Sequence, residues 1–182
     1  EIAESTPGAF MPQQFANEAN PRVHATVTAR EILESMRGLS LDAFVAGVGT
    51  GGTISGVGEV LRREISPAPR IVAVEPESCA TISRGERGPS KIQGLAAGFV
   101  PENYHAGVVD EVRTVSDGDA WRMKSALARG EGLLVGISAG AAVHVALEIA
   151  RELGPGKNVV TILPDTGERY FSLEEYFAEG TP

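Results

Sequence analysis

Asp42-Ala43-Phe44-Val45-Ala46-Gly47-Val48-Gly49-Thr50-Gly51-Gly52-Thr53-Ile54-Ser55-Gly56 runs from an apolar, β-prone stretch through a cluster of glycines into a helix-like segment. The N–H groups that open a helix have no partner within it, and the helix dipole adds a partial positive charge there. An anion is therefore welcome without a lysine or arginine, and glycine lets the backbone come close to it. The hydroxyls of Thr50 and Thr53 add side-chain donors. Gly49, Thr50, Gly51, Gly52 and Thr53 together read as a phosphate cradle.

The same alternation continues outward. Ala43–Val48, Ile71–Val74, Val112–Val115, Leu133–Ile137 and Val159–Leu163 are short apolar runs of the kind found in strands covered on both faces. Helix-like segments at Thr53–Glu64, Ser116–Arg129 and Ala139–Leu153 lie between most of them, with Ser116 as a start signal and Gly130 and Gly154-Pro155 as stops. Parallel neighbours need crossover connections, so the pattern predicts an α/β fold: an open, mostly parallel, doubly wound sheet with flanking helices. Upstream, Ala9–Phe15 reads as extended, the Asn17–Pro21 stretch as a loop, and Thr28–Arg37 as a helix capped by Thr28 and Glu31 and stopped by Gly38. Glu77–Val109 breaks the rhythm. Its glycines and prolines predict a long excursion, which at that length is usually functional or mobile.

Composition narrows the partners. The 182 residues carry 24 acids against 16 bases, a net charge of −8, and no Lys/Arg run suited to a nucleic-acid backbone or an anionic membrane. No apolar stretch approaches the ~20 residues of a membrane span, and no signal-peptide pattern opens the chain. Cys79, the single cysteine, has no intrachain disulfide partner, and no Cys/His cluster suggests a metal site. These features favour small-molecule work in a reducing cytoplasm. The start at Glu1-Ile2-Ala3-Glu4, without Met, reads as the end of a helix already under way, as in a fragment.

Three readings of the motifs compete. Gly47, Gly49 and Gly52 satisfy G-x-G-x-x-G, and Glu75 lies ~20 residues on, where an NAD-binding oxidoreductase module places its ribose-binding acid. Gly136-Ile137-Ser138-Ala139-Gly140 matches the G-x-S-x-G nucleophile elbow. A serine hydrolase of that type needs an acid and then a histidine after its serine; only His144 follows Ser138, within the same predicted helix, and none follows Asp165. As bland alternatives, the glycine loop is a tight turn that binds nothing and Ser138 is a helix cap.

The third reading takes both loops together with Lys91-Ile92-Gln93-Gly94-Leu95-Ala96-Ala97-Gly98-Phe99, Leu163-Pro164-Asp165-Thr166-Gly167-Glu168-Arg169-Tyr170 and Gln13-Gln14-Phe15. From the first residues to about Phe177 this set resembles the C-terminal portion of the cysteine synthases, or O-acetylserine sulfhydrylases, within the fold-type II pyridoxal-phosphate enzymes. The resemblance implies the large domain of that fold, with residues 1–20 as the tail end of a missing N-terminal domain and 21–182 as the C-terminal domain that binds the phosphate of pyridoxal 5'-phosphate.

Carried over position by position, it implies that Gly49 to Thr53 hold the cofactor phosphate and that Ser138 hydrogen-bonds the pyridine nitrogen. Gln14 lies near the ring and substrate, Gly94 on a segment that closes over substrate, and Asp165 and Thr166 beside the pyridine end. The implied reaction is β-replacement, O-acetylserine plus sulfide giving cysteine plus acetate. Close relatives with the same scaffold make cystathionine or use phosphoserine. The Schiff-base lysine is expected upstream: Lys91, Lys124 and Lys157 stand in the wrong surroundings and read as solvated surface residues, so no catalytic residue lies in this stretch and alone it should be inactive. Ser90 and Ala139 depart from the common family residues, which loosens any inference about substrate preference. The resemblance also implies a homodimer and, in some members, capture of the C-terminal tail of serine acetyltransferase in the active-site cleft. A non-catalytic scaffold remains an alternative.

Overall fold

Successive residues of strand β1 (Ala43–Gly47) enter different cores, which is what a sheet covered on both faces requires. Phe44 and Ala46 pack on one side, Ala43 and Val45 on the other. Strand β2 (Arg70–Pro76) repeats the pattern with Ile71 and Ala73 against Val72 and Val74. The computed structural model describes residues 1–95 and 97–176; Ala96 of the glycine-rich motif and the end of the resemblance at Phe177 lie outside them.

With β3 (Glu111–Val115) and β4 (Val159–Thr161) the sheet has the order β3-β2-β1-β4, and every pairing is parallel. Helix α4 (Gly52–Glu64) covers one face with Ile54, Val57, Val60 and Leu61. On the opposite face lie α5 (Asp117–Ala126) and α6 (Ile137–Leu153), the latter through Ile137, Ala141, Val145 and Ile149. Each such fully buried aliphatic side chain contributes ~1.5–3 kcal/mol, so the two clusters stabilise the sheet from both sides. The expected doubly wound α/β architecture is present.

The chain leaves β1 toward β2 and β3, then returns to place β4 on the other side of β1. The connections after β1 and β4 therefore diverge at the carboxyl ends of adjacent strands, and a crevice opens between them. Ligands of open α/β sheets bind at such a switch point.

Several boundaries differ from the sequence reading. Leu133–Ile137 is no strand: Val135 makes one isolated antiparallel bridge to Thr166, and α6 already begins at Ile137. Its apolar residues contact the C-terminal turn instead of a sheet neighbour, which periodicity cannot distinguish. After a first short helix α1 (Ile2–Ser5), the expected helix at Thr28 starts nine residues earlier, as α2 (Ala19–Val23), a π-helical turn (His24–Thr28) and α3 (Ala29–Ser35). Pro21 masks this start, although proline is tolerated in a first turn; the Asn17 side chain accepts the Ala19 N–H there. Thr28 caps nothing, and its hydroxyl faces His24. Ala9–Phe15 forms no strand: residues 9–13 have no regular secondary structure, Gln13 has φ of +54°, and residues 14–16 make a turn. Among its described residues the excursion over 77–109 holds only two short helical turns, both 3-10, at Glu77–Cys79 and Ala106–Val108, and it connects β2 to β3. Ser116 does cap α5, accepting the Asp119 N–H at 3.0 Å.

Candidate active site

The cradle forms because the chain must turn sharply between β1 and α4. Gly51 precedes the helix with φ of +86°, a left-handed conformation that a β-carbon disfavours. A β-carbon there would also lie 2.8 Å from Tyr104 Cα. At Gly49 the constraint is proximity: any side chain would collide with the Gly94 carbonyl oxygen, so the excursion lies directly on the loop. Ile92, 1% exposed, pins that excursion into the core, and Leu95 packs over Gly47.

The crevice at the switch point is a cavity of about 360 Å³. Gly47, Gly49, Thr50 and Thr53 line it from the β1 side, Gly94 and Leu95 from above, Ser138 from the start of α6, and Asp165 and Tyr170 from the turn after β4. A smaller adjoining space is bounded by Gln14, Thr50 and Gly94. The structure thus brings together Thr50, Thr53, Ser138, Gly94 and Gln14, which are far apart in sequence. Gly51 and Gly52 complete the loop without lining the space.

Two helices, α4 and α6, begin at this cavity, and their cationic last turns, with Arg62, Arg63 and Arg151, lie at the far ends. No lysine or arginine lines it. An anion here would be held by peptide N–H groups and hydroxyls. Ser138 is 6% exposed, and its hydroxyl makes no hydrogen bond among the described residues. Asp165 Oδ1 is buried without a partner among the described residues, while Tyr170 donates to Oδ2 of the same carboxylate. Burial, then the bond to Asp165, pushes the Tyr170 phenol up to about 12, so it remains a donor across the neutral range. A close glycine cradle, a hydroxyl with no partner and an orphaned carboxylate oxygen are what a phosphorylated, nitrogen-containing ring would satisfy.

Other candidates resolve differently. Glu75 is 2% exposed and accepts the Ile82 N–H at 2.8 Å and the Ser83 N–H at 3.0 Å, so it secures a turn and lies buried away from the position of a ribose-binding acid. His144 pairs with Glu148 at 3.5 Å and makes no bond to Ser138, which removes the hydrolase arrangement. Ser138 is not a cap either, since Gly136 holds that position. Lys124 is no surface residue: it is 5% exposed, with its ammonium 4.5 Å from the Trp121 ring centre. Lys157 pairs with Asp42 at the opposite end of the sheet, and Lys91 is exposed. None of the three lines the cavity. Cys79 is buried.

Sequence reasoning missed Asn20, His24 and Tyr170. Asn20 and His24 bond to Thr50 and Thr53, and their spacing of four residues was a usable signal once the helix was placed at Ala19.

Comparison with known proteins agrees with this geometry. Residues 1–165 match the family described as pyridoxal-phosphate dependent enzyme. A cysteine synthase from Staphylococcus aureus is 51% identical over 169 residues, 93% of this chain and 54% of that protein. The crystal structure of an O-ureido-L-serine synthase superposes with a TM-score of 0.92 at 45% identity, covering 99% of this chain and 57% of the other. O-acetylserine sulfhydrylase isoform 3 from Entamoeba histolytica gives 0.89 at 40% identity, covering 99% and 54%. The chain spans about half the length of the relatives it matches.

Proposed function

The chain belongs to the pyridoxal-phosphate-dependent enzymes, and from that membership we propose that its cavity is the phosphate-binding and ring-binding half of a cysteine synthase active site, for β-replacement of the acetate of O-acetylserine by sulfide. The observation that carries this reading is the convergence of Thr50, Thr53, Ser138 and Gly94 on one cavity at the switch point. Pyridoxal 5'-phosphate, when bound, supplies an electron-withdrawing ring that stabilises negative charge developing at the substrate α-carbon.

This chain's residues divide the remaining work. The N–H groups around Gly51, Gly52 and Thr53 and the hydroxyls of Thr50 and Thr53 hold the phosphate dianion. Ser138 offers a neutral hydroxyl to the ring nitrogen. A carboxylate there would keep the ring fully protonated, whereas a hydroxyl leaves it a weaker electron acceptor and suits elimination followed by addition over transamination. Asp165 closes that end of the cavity with Tyr170 orienting it. The Gly94 segment, already seated on Gly49, excludes water from the reacting centre, and Gln14 approaches the substrate beside it.

In this reading residues 21–182 form the phosphate-binding domain, and residues 1–20 are the tail of a preceding domain that supplies the Schiff-base lysine. The position of Lys91, Lys124 and Lys157 outside the cavity supports that division. The enzyme would work in the cytoplasm as a homodimer, with the acetyltransferase tail as a competitor for the same cleft. Among the described residues no helix is long and apolar enough to cross a membrane.

Cysteine formation from O-acetylserine and sulfide, measured on the intact enzyme and on residues 1–182 alone, tests the proposal. Turnover that requires pyridoxal phosphate is expected of the first and none of the second. Turnover by the 182 residues would show that the lysine is already among them, and failure of the intact enzyme with these substrates would leave another β-replacement.

A further inference from the structure

The glycine loop rests on a helix outside the cavity. Helix α2 and the π-helical turn cross the first turns of α4, and the crossing is closest at Gly52 and Gly56. A β-carbon at Gly52 would collide with Asn20 Oδ1, and one at Gly56 with the Pro21 carbonyl oxygen. This closeness sets Asn20 and His24, four residues apart, each against one threonine of the loop.

Asn20 Nδ2 donates to Thr50 Oγ1 at 2.8 Å and to the Gln14 carbonyl oxygen at 2.9 Å. The second bond fixes the orientation of the amide, since a carbonyl only accepts. Thr50 Oγ1 is therefore an acceptor, with the Gly52 N–H a further 3.5 Å donor to it, and its own proton is left for the cavity side. His24 Nε2 lies 3.2 Å from Thr53 Oγ1, and Nδ1 lies 3.0 Å from Thr28 Oγ1. Burial lowers the His24 pKa and keeps the ring neutral, so one nitrogen donates and the other accepts.

We propose that Asn20 and His24 are positioning residues that each donate a hydrogen bond to a cradle threonine, so that both threonine hydroxyl protons are aimed at the bound phosphate. Thr28 sets the tautomer by donating to Nδ1, which leaves Nε2–H for Thr53. Neither Asn20 nor His24 lines the cavity. On the phosphate cradle their effect passes through Thr50 and Thr53, while Asn20 also holds the Gln14 carbonyl. The inference rests on reading the cavity as a phosphate site, and it assigns the polarity of the hydrogen bonds behind it.

Equilibrium titration of the intact enzyme with pyridoxal phosphate and with pyridoxal, which lacks the phosphate, separates the two ideas; phosphorus NMR of bound pyridoxal phosphate adds a readout independent of turnover. Asn20→Asp presents a carboxylate that must accept, turning the Thr50 proton away from the cavity, and His24→Leu removes the donor to Thr53. Each is expected to weaken pyridoxal phosphate about 10-fold, to leave pyridoxal within about 2-fold and to move the phosphorus resonance. His24→Gln, whose amide retains an N–H, should recover most of the loss. Unchanged affinity and resonance in both Asn20→Asp and His24→Leu would overturn the inference, as would equal weakening of both ligands, which marks a general loosening of the cavity. If the unmodified enzyme binds pyridoxal phosphate no more tightly than pyridoxal, the phosphate-site reading itself falls.

Discussion

The two ends of the parallel sheet are built to opposite standards. At the amino end, where β1 and β4 begin, the Asp42 carboxylate accepts the Asn158 N–H at 2.9 Å, the Ser40 hydroxyl at 2.7 Å and Lys157 Nζ at 2.9 Å. Nearby, Arg70 and Arg113 share Glu111 and Glu152. Polar groups there are matched. At the carboxyl end Asp165 Oδ1 is buried with no partner among the described residues, and only the lack of a side chain at Gly49 lets the loop and the Gly94 segment meet. One end is finished by the chain's own residues; the other leaves a buried carboxylate oxygen beside a cavity. The contrast teaches where function lies: unsatisfied buried polar groups are costly, and they persist where a bound group satisfies them.

Adding a methyl group to the unfinished end breaks the comparison most severely. Gly49→Ala places a β-carbon against the Gly94 carbonyl oxygen, and the closing segment must lift. Pyridoxal phosphate affinity of the intact enzyme, followed by titration, should fall roughly 10–100-fold, the ~1–3 kcal/mol of an overpacked contact. An unchanged affinity would mean that the two segments do not share the site. Tyr170→Phe is milder. It leaves the Asp165 carboxylate with neither oxygen partnered, and denaturant unfolding should register a loss of ~1–3 kcal/mol that bound cofactor partly restores. A loss of the same size with and without cofactor would place Asp165 outside the ligand's reach.

The smallest effect belongs to the finished end. The Asn158 N–H, then Ser40 and Lys157, lower the Asp42 pKa from 3.8 to about 2. A carboxylate whose pKa is depressed by folding contributes stability that is fully present above its unfolded pKa and lost as pH falls through the folded one. The Tm advantage of the native protein over Asp42→Asn should therefore shrink between about pH 4 and about pH 2, with cofactor affinity unaffected at neutral pH. An advantage constant over that window would show that Asp42 acts through shape and not charge.

Most of the frame was legible because its signals are local. β1 with its glycine turn, α4, β2, β3 and α6 announce themselves by apolar runs and by start and stop residues that answer to neighbours a few positions away. Leu133–Ile137 misled because its apolar residues serve a tertiary contact with the turn after β4, which no local period encodes. Lys124 was misjudged for a similar reason: an aliphatic stem beside Trp121 buries a charge that composition assigns to solvent. In the site, loop residues were readable from their chemistry, whereas Asn20 and His24 were hidden behind Pro21. Their roles depend on a helix crossing, and the glycines that permit it look in sequence like a continuation of the phosphate loop.

The absence of lysine and arginine from the cavity lining also governs how an anion arrives. With a net charge of −8, the chain repels a dianion at long range, and the attraction of two helix starts fades within about one turn. Capture is thus a short-range event behind a repulsive approach. Dissolved salt screens the repulsion more than the final embrace. For residues 1–182 taken by themselves, anion capture at the cradle should therefore quicken as ionic strength rises.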